Sequence, residues 1–220
     1  MEQSSITLIT KMLAEESATS VDTVKGRILR SAATLFKDKG FRRTTLGDIA
    51  QTVDISVGDI FQYFPCKEAI LCGVIRITIL LTTAQINLAL ESEIRPSNKL
   101  IKMITCELEA IHGHNGIGFN FLMSEWEHLG KEYQAEILIL RDMYEQLWQD
   151  VLEEARVAGI IRIDCFILRR LIYGATTYTA TWFNVDGLLS LKQLSFQKLR
   201  LVIAGEGQPV HPNKRKLTLV

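Results

Sequence analysis

The chain carries no excess charge of either sign. Its 25 Lys and Arg balance 25 Asp and Glu, so no global field draws it towards nucleic acid, a membrane surface or an acidic substrate, and any basic surface must be local. Cysteine is scarce, and Cys66, Cys72, Cys106 and Cys165 form neither a CxxC pair nor an even loop spacing. Nothing at the start reads as a secretory signal, and a reducing cytoplasm is the expected compartment. Catalytic signatures are missing as well: there is no Gly-rich phosphate cradle, nucleophile elbow or HExxH pair. His112 and His114 stand two apart in a Gly-rich stretch that supplies no further ligand, so a solvated loop and no metal is expected there. Beyond Pro65 no run with the strand period of two competes with helical spacing. Together these absences predict an all-α protein that is not an enzyme and holds no cofactor.

With 47% hydrophobic and 23% charged residues, the chain can build one good-sized core or a small domain fused to a larger one. Residues 69–90 hold a single charge, Arg76, over a membrane-spanning length. Arg76, Gln85 and Asn87 would be costly in lipid, and a long helix buried between two domains explains the same composition without a membrane. Over 22–39, Val24, Ile28, Ala32, Leu35 and Phe36 recur at helical spacing and Gly40 supplies the stop. Thr45 with Asp48 reads as a capping box opening a short helix at 45–53, whose buried face is Leu46, Ile49, Ala50 and Val53. Ser56 with Asp59 repeats that signature ahead of Ile60, Phe61 and Phe64. Two short capped helices three residues apart make a helix-turn-helix. Further breaks fall at 95–97, 112–118, Gly130, Gly159 and 184–187, leaving helices at 134–158, 164–183 and 190–204.

The stretch GFRRTTLGDIAQTVDISVGDIFQYFPCKE at 40–68 resembles the signature of the TetR family of transcription factors, which combines a glycine stop, a threonine cap, a three-residue turn and a terminal Phe-x-x-Lys-Glu. The resemblance covers roughly residues 22–70. It implies a three-helix DNA-binding domain at 21–68 after an extension at 1–20, a helical ligand-binding and dimerisation domain at 69–205, and a flexible tail at 206–220. It also implies double-stranded operator DNA and a second copy of the chain as partners. A recognition helix of two turns reads base edges only if flanking groups hold it against phosphates. The resemblance assigns DNA contacts to Thr44, Thr45, Ser56, Val57, Gly58, Asp59, Phe61, Gln62, Tyr63 and Lys67. Asp59 stands where the family has Thr or a small residue, and its cap role outweighs a cytosine contact. Phe61 replaces a phosphate-binding Tyr, Gln62 can pair with adenine, and Val57 can touch a thymine methyl. From Asp22 to Glu68 eight basic residues face six acidic ones, so affinity is expected to need two subunits.

The last helix is expected to carry a dimer stripe of Leu188, Leu191, Leu199 and Val202. The run YGATTYTATWF at 173–183 is rich in hydroxyls yet otherwise apolar, which suits a pocket wall. Tyr173, Thr177, Tyr178 and Thr181 are its candidate ligand contacts, faced by Phe119, Leu122, Glu125 and Trp126. Equally open is that the threonines bond back to the helix and the aromatics are core. The expected effector is small and apolar, with an acyl-coenzyme A thioester as a candidate. That candidate comes from a looser similarity of the region with Asp164, Arg169, Arg170, Trp182 and Phe183 to acyl-coenzyme A-responsive family members. The competing reading is a helical interaction or adaptor protein with weakened DNA binding, suggested by the neutral charge, Asp59 and Phe61.

Overall fold

The computed structural model describes residues 23–112 and 125–203. The extension, the tail and the stretch with His114, Phe119 and Leu122 lie outside the described residues. Among those described there are eight α-helices and no strand: α1 Val24–Lys39, α2 Leu46–Val53, α3 Val57–Ile60, α4 Lys67–Glu91, α5 Pro96–His112, α6 Lys131–Val157, α7 Cys165–Thr177 and α8 Leu191–Ile203. Two 3-10 turns, Glu125–His128 and Tyr178–Thr181, lead into α6 and follow α7.

The local signals act where the spacing predicts. The Thr23 hydroxyl caps α1 by accepting from the Gly26 amide at 3.1 Å, and Ile28, Ala32, Ala33 and Phe36 form its buried face. The helix stops at Gly40, whose φ of 82° a side chain would resist. Both α2 and α3 begin with complete capping boxes, Thr45 with Asp48 and Ser56 with Asp59. Asp54 ends α2 at φ 58°, a left-handed position that a short polar side chain tolerates.

Helix α4 is long and apolar enough to cross a bilayer by length and composition, but most of that apolar surface is covered by protein. Its first half packs on α1, and α5 and α6 cover its other sides. Arg76, its one interior charge, pairs with Glu136 of α6 at 2.8 Å. The body's core gathers Leu100, Met103, Ile104 and Leu108 of α5, Ile137, Leu140, Trp148 and Leu152 of α6, and Leu168 and Ile172 of α7. Helix α8 lies against α5.

Two expectations change. The helix expected at 164–183 ends at Thr177 and tightens into a 3-10 turn, in which the Thr179 and Thr181 hydroxyls donate to carbonyls three residues back. The single stripe expected on the last helix is also two-sided: Leu199 faces the core beside Leu194, whereas Leu188, Phe196 and Leu201 are exposed.

At the crossing of α1 and α4, a Cβ on Gly73 would lie 2.9 Å from Leu29 Cδ2 and 3.5 Å from Phe64 Cε1. Gly73→Val is therefore expected to cost about 1–3 kcal/mol by overpacking, read as a lower urea midpoint. Gly73→Ala should lose less, because only the end of the Leu29 side chain must move and alanine favours the helix. A valine variant as stable as the parent would show that the crossing is loose.

Candidate functional site

The second helix of the helix-turn-helix is short. Regular α-helix covers Val57–Ile60, and the amides of Gln62, Tyr63 and Phe64 continue the winding by donating to Asp59 and Ile60 carbonyls. Ile60 and Phe64 anchor this element in the core, while Ser56, Val57, Gly58, Phe61, Gln62 and Tyr63 lie exposed on it. One contiguous face thus presents two aromatic rings, a carboxamide, a methyl pair and bare backbone at Gly58, a surface of the size a major groove admits.

Several side chains assigned to DNA by the resemblance are engaged elsewhere. Thr44 is wholly buried, and its hydroxyl lies 2.9 Å from the Gly40 carbonyl and 3.2 Å from that of Leu35. It closes the loop after α1 and cannot reach a phosphate. The Thr45 and Ser56 hydroxyls donate into their own capping boxes, to Asp48 at 2.8 Å and Asp59 at 2.7 Å. Asp59 faces back to the Ser56 amide and hydroxyl, and these bonds hold its carboxyl below the usual carboxylate range. The Lys67 ammonium donates to the carbonyls of Phe41 and Thr44, both at 2.8 Å, and lies 4.4 Å from the centre of the Phe41 ring. Burial lowers its pKa. Lys67 thus latches the 41–44 loop. Arg42 and Arg43, directly before the Thr44-Thr45 pair, are exposed, with Arg43 Nε donating to the Lys39 carbonyl; neither is among the DNA contacts assigned from the sequence.

The same loop touches the body. His128 stacks on Phe41 with ring centres 5.3 Å apart and pairs with Glu125 at 3.1 Å. Glu68, next to Lys67, accepts from the Gly130 amide at 3.0 Å and so caps α6, whose own N-cap residue has no side chain to do it. Glu125 is therefore spent on His128, beside the DNA-binding head, and Trp126 packs partly buried against the core. The described contacts of these two residues do not bring them to the 173–183 wall. On that wall Tyr173 lies 5.4 Å from the Arg169 guanidinium, while Tyr178 and Thr181 are exposed, because the 3-10 turn rotates them outward.

The body's interior holds a polar cluster that the sequence pattern did not single out. Arg169 is 1% exposed. It donates to Glu107 at 2.8 Å and to both carboxylate oxygens of Glu145 at 2.8 and 3.0 Å. Tyr144 donates to Glu107 at 2.7 Å, and Trp148 lies 4.3 Å from the guanidinium. Glu107 Oε2 and Arg169 Nη1 are buried with no hydrogen-bond partner. The cluster is thus a charged and partly unsatisfied island within an otherwise apolar core. The only hint in the sequence was Arg169 itself, named through the looser similarity to acyl-coenzyme A-responsive family members.

Comparison with known proteins bears on the family and the fold. Residues 28–72 match the family described as bacterial regulatory proteins, tetR family, and residues 93–205 match the tetracyclin repressor-like C-terminal domain. The HTH-type transcriptional repressor KstR2 of Mycolicibacterium smegmatis is 26% identical over 88% of this chain and 95% of its own. The crystal structure of the superantigen PfiT superposes with a TM-score of 0.75 at 41% identity, covering 85% of this chain and 100% of that one. AibR, crystallised with isovaleryl coenzyme A and operator DNA, shares the fold with a TM-score of 0.74 at 19% identity, over 82% of this chain and 98% of its own.

Two outcomes follow from the head's hydrogen bonds. Lys67→Met leaves the Phe41 and Thr44 carbonyls without their donor and should cost about 1–3 kcal/mol, seen as faster amide exchange through 41–53. Asp48 is held down to about 2 by the Thr45 amide and hydroxyl and by Lys39. Its folded value lies below the unfolded one, so its contribution is complete above about pH 4 and lost as pH falls towards 2. Acid unfolding between those limits should be shallower for Asp48→Asn, and identical acid profiles would contradict the assignment.

Proposed function

The chain belongs to the TetR family, and from that premise we propose that it represses transcription by binding a palindromic operator as a homodimer, released by a small, largely apolar effector. The observation that carries DNA reading is the exposed face of Val57, Gly58, Phe61, Gln62 and Tyr63 on an element whose opposite side is locked into the core. Thr45, Ser56 and Asp59 support it as caps, and Arg42 and Arg43 flank it as phosphate partners. Dimerisation is supported by the outward apolar residues Phe166, Ile167 and Leu171 of α7, Phe196 and Leu201 of α8, and Leu188 in the turn before α8. Apolar side chains exposed together on neighbouring helices are what a subunit interface covers.

Effector binding belongs to the body around Tyr173, Thr177 and the Glu107–Arg169 cluster. An acyl-coenzyme A thioester suits a greasy interior with a few polar atoms, and AibR shows that this fold accommodates isovaleryl coenzyme A together with operator DNA. Release acts through the base of α4, where Lys67 holds the head and Glu68 holds α6. An effector favouring the DNA-incompetent arrangement by about 3 kcal/mol lowers operator affinity roughly a hundredfold, and DNA weakens effector binding by the same factor. A second reading, an interaction protein with weak DNA binding, is favoured by the carboxylate at Asp59 and by the likeness to PfiT.

Selection from a random DNA pool separates the two readings. A repressor enriches an inverted repeat with half-sites about 34–36 Å apart, binds it with steep salt dependence and sediments as a dimer. An interaction protein enriches nothing. On the enriched site Gln62→Ala should lose about 1–3 kcal/mol and the preference at one base pair. Uniform weakening across a panel of mutant operators would remove Gln62 as a base reader.

A further inference from the structure

Helices α5, α7 and α8 meet at a second polar position, beside the Glu107–Arg169 cluster. Lys198 of α8 reaches inward and donates to Thr176 Oγ1 at 2.8 Å. One turn along, His112 at the end of α5 lies 2.7 Å from Thr179 Oγ1. Both threonines are wholly buried. Each commits its only hydroxyl hydrogen to a main-chain carbonyl, Thr176 to Ile172 at 2.7 Å and Thr179 to Thr176 at 2.5 Å. The hydroxyls therefore face the two side chains as acceptors, and His112 Nε2 carries the hydrogen.

The cationic side of this arrangement has no matching acid in contact. Among the described residues Lys198 makes no ion pair. Glu107 is the acid whose field it feels, but one oxygen of Glu107 is already taken by Arg169 and Tyr144. Glu145 is likewise held by Arg169. Burial brings Lys198 down to about 8, and burial together with Lys198 and Lys37 lowers His112. A half-buried ammonium with one neutral partner is an expensive group to keep unless something compensates it. The Phe183 ring, 5.0 Å from that of His112, walls the position on one side.

We infer that Lys198 and His112, aligned by Thr176 and Thr179, form an anion-binding subsite that takes a carboxylate or phosphoryl group of the effector. This deepens the proposed function by giving the effector an anionic end, and its biological occupant rests on that reading. Its chemistry does not. Binding an oxyanion gives the Lys198 ammonium a charged acceptor in direct contact, where it now has only the Thr176 hydroxyl, and gives the His112 N–H a stronger acceptor than a hydroxyl, which favours the protonated ring. Arg169 stays with its two carboxylates, and Tyr173 and Tyr144 remain neutral.

The test uses the full chain with carbon-labelled lysine, followed by NMR through a pH titration. The Lys198 resonance is identified by its absence in Lys198→Gln, and its midpoint is compared in sodium chloride, inorganic phosphate and butyrate at matched ionic strength. If an anion binds the ammonium form tenfold more tightly, the midpoint rises by about one pH unit. A rise with phosphate alone assigns a phosphoryl group, and a rise with butyrate alone assigns a carboxylate. His112→Phe, which removes the second donor, should reduce the rise while leaving the near-ultraviolet circular dichroism unchanged. No rise with either anion, or an equal rise in chloride, overturns the subsite. A separate arm measures operator release by decanoate, decanoyl-coenzyme A and decanol. If the anions move Lys198 but none of these probes releases operator, the subsite stands and the effector reading falls.

Discussion

Lys67 and Glu68 are adjacent residues in the first turn of α4, and each is bonded to a different part of the molecule. The Lys67 ammonium gathers the carbonyls of the 41–44 loop, and the Glu68 carboxylate closes the amino end of α6 at Gly130. A cation on main-chain carbonyls and an anion on a helix N-terminus are both charge-assisted bonds, stronger than neutral ones and sensitive to small displacements. The position of the reading face depends on this pair, because α2 and α3 hang on the loop that Lys67 holds. The His128 ring on Phe41 adds a second point of contact between the same loop and the body.

The body faces a different constraint. Its helices pack through ordinary apolar side chains, yet Glu107 and Arg169 lie among them, both almost wholly buried. Burying such a pair costs several kcal/mol per ion, offset only when the geometry is good and the remaining atoms are satisfied. Arg169 meets the first condition with two carboxylates and three nearby aromatic rings. It fails the second at Nη1, as Glu107 does at Oε2. Replacing such a pair with well-packed hydrocarbon is often neutral or stabilising, so the pair adds less to the body's stability than the apolar side chains around it.

Threonine illustrates how one residue type serves opposite ends. At Thr45 the hydroxyl starts a helix by accepting from the amide three residues on. At Thr176 and Thr179 hydroxyls donate backwards, and the helix ends in a 3-10 turn. The sequence offers the same side chain in both places. At Thr45 a near neighbour decides the role, because Asp48 completes the capping box; at Thr176 and Thr179 the hydroxyls lie wholly buried.

Much of what near neighbours govern was legible in the sequence: the helix starts at Thr45 and Ser56, the stop at Gly40, the all-helical architecture, the helix-turn-helix and the family resemblance it carries; the 3-10 turn after Thr177 was not. Capping and periodicity involve residues within four or five positions of each other, so the chain states them directly. Partners far apart in the chain were decided by tertiary structure alone. Nothing near Lys67 announces that it will bond the Phe41 carbonyl 26 residues away, and nothing near Arg169 predicts Glu107, 62 residues before it. Which face of α8 turns inward, and that Thr44 points into the core while Gln62 points out, follow likewise from how the helices cross, because only packing determines which side of an element water can still reach.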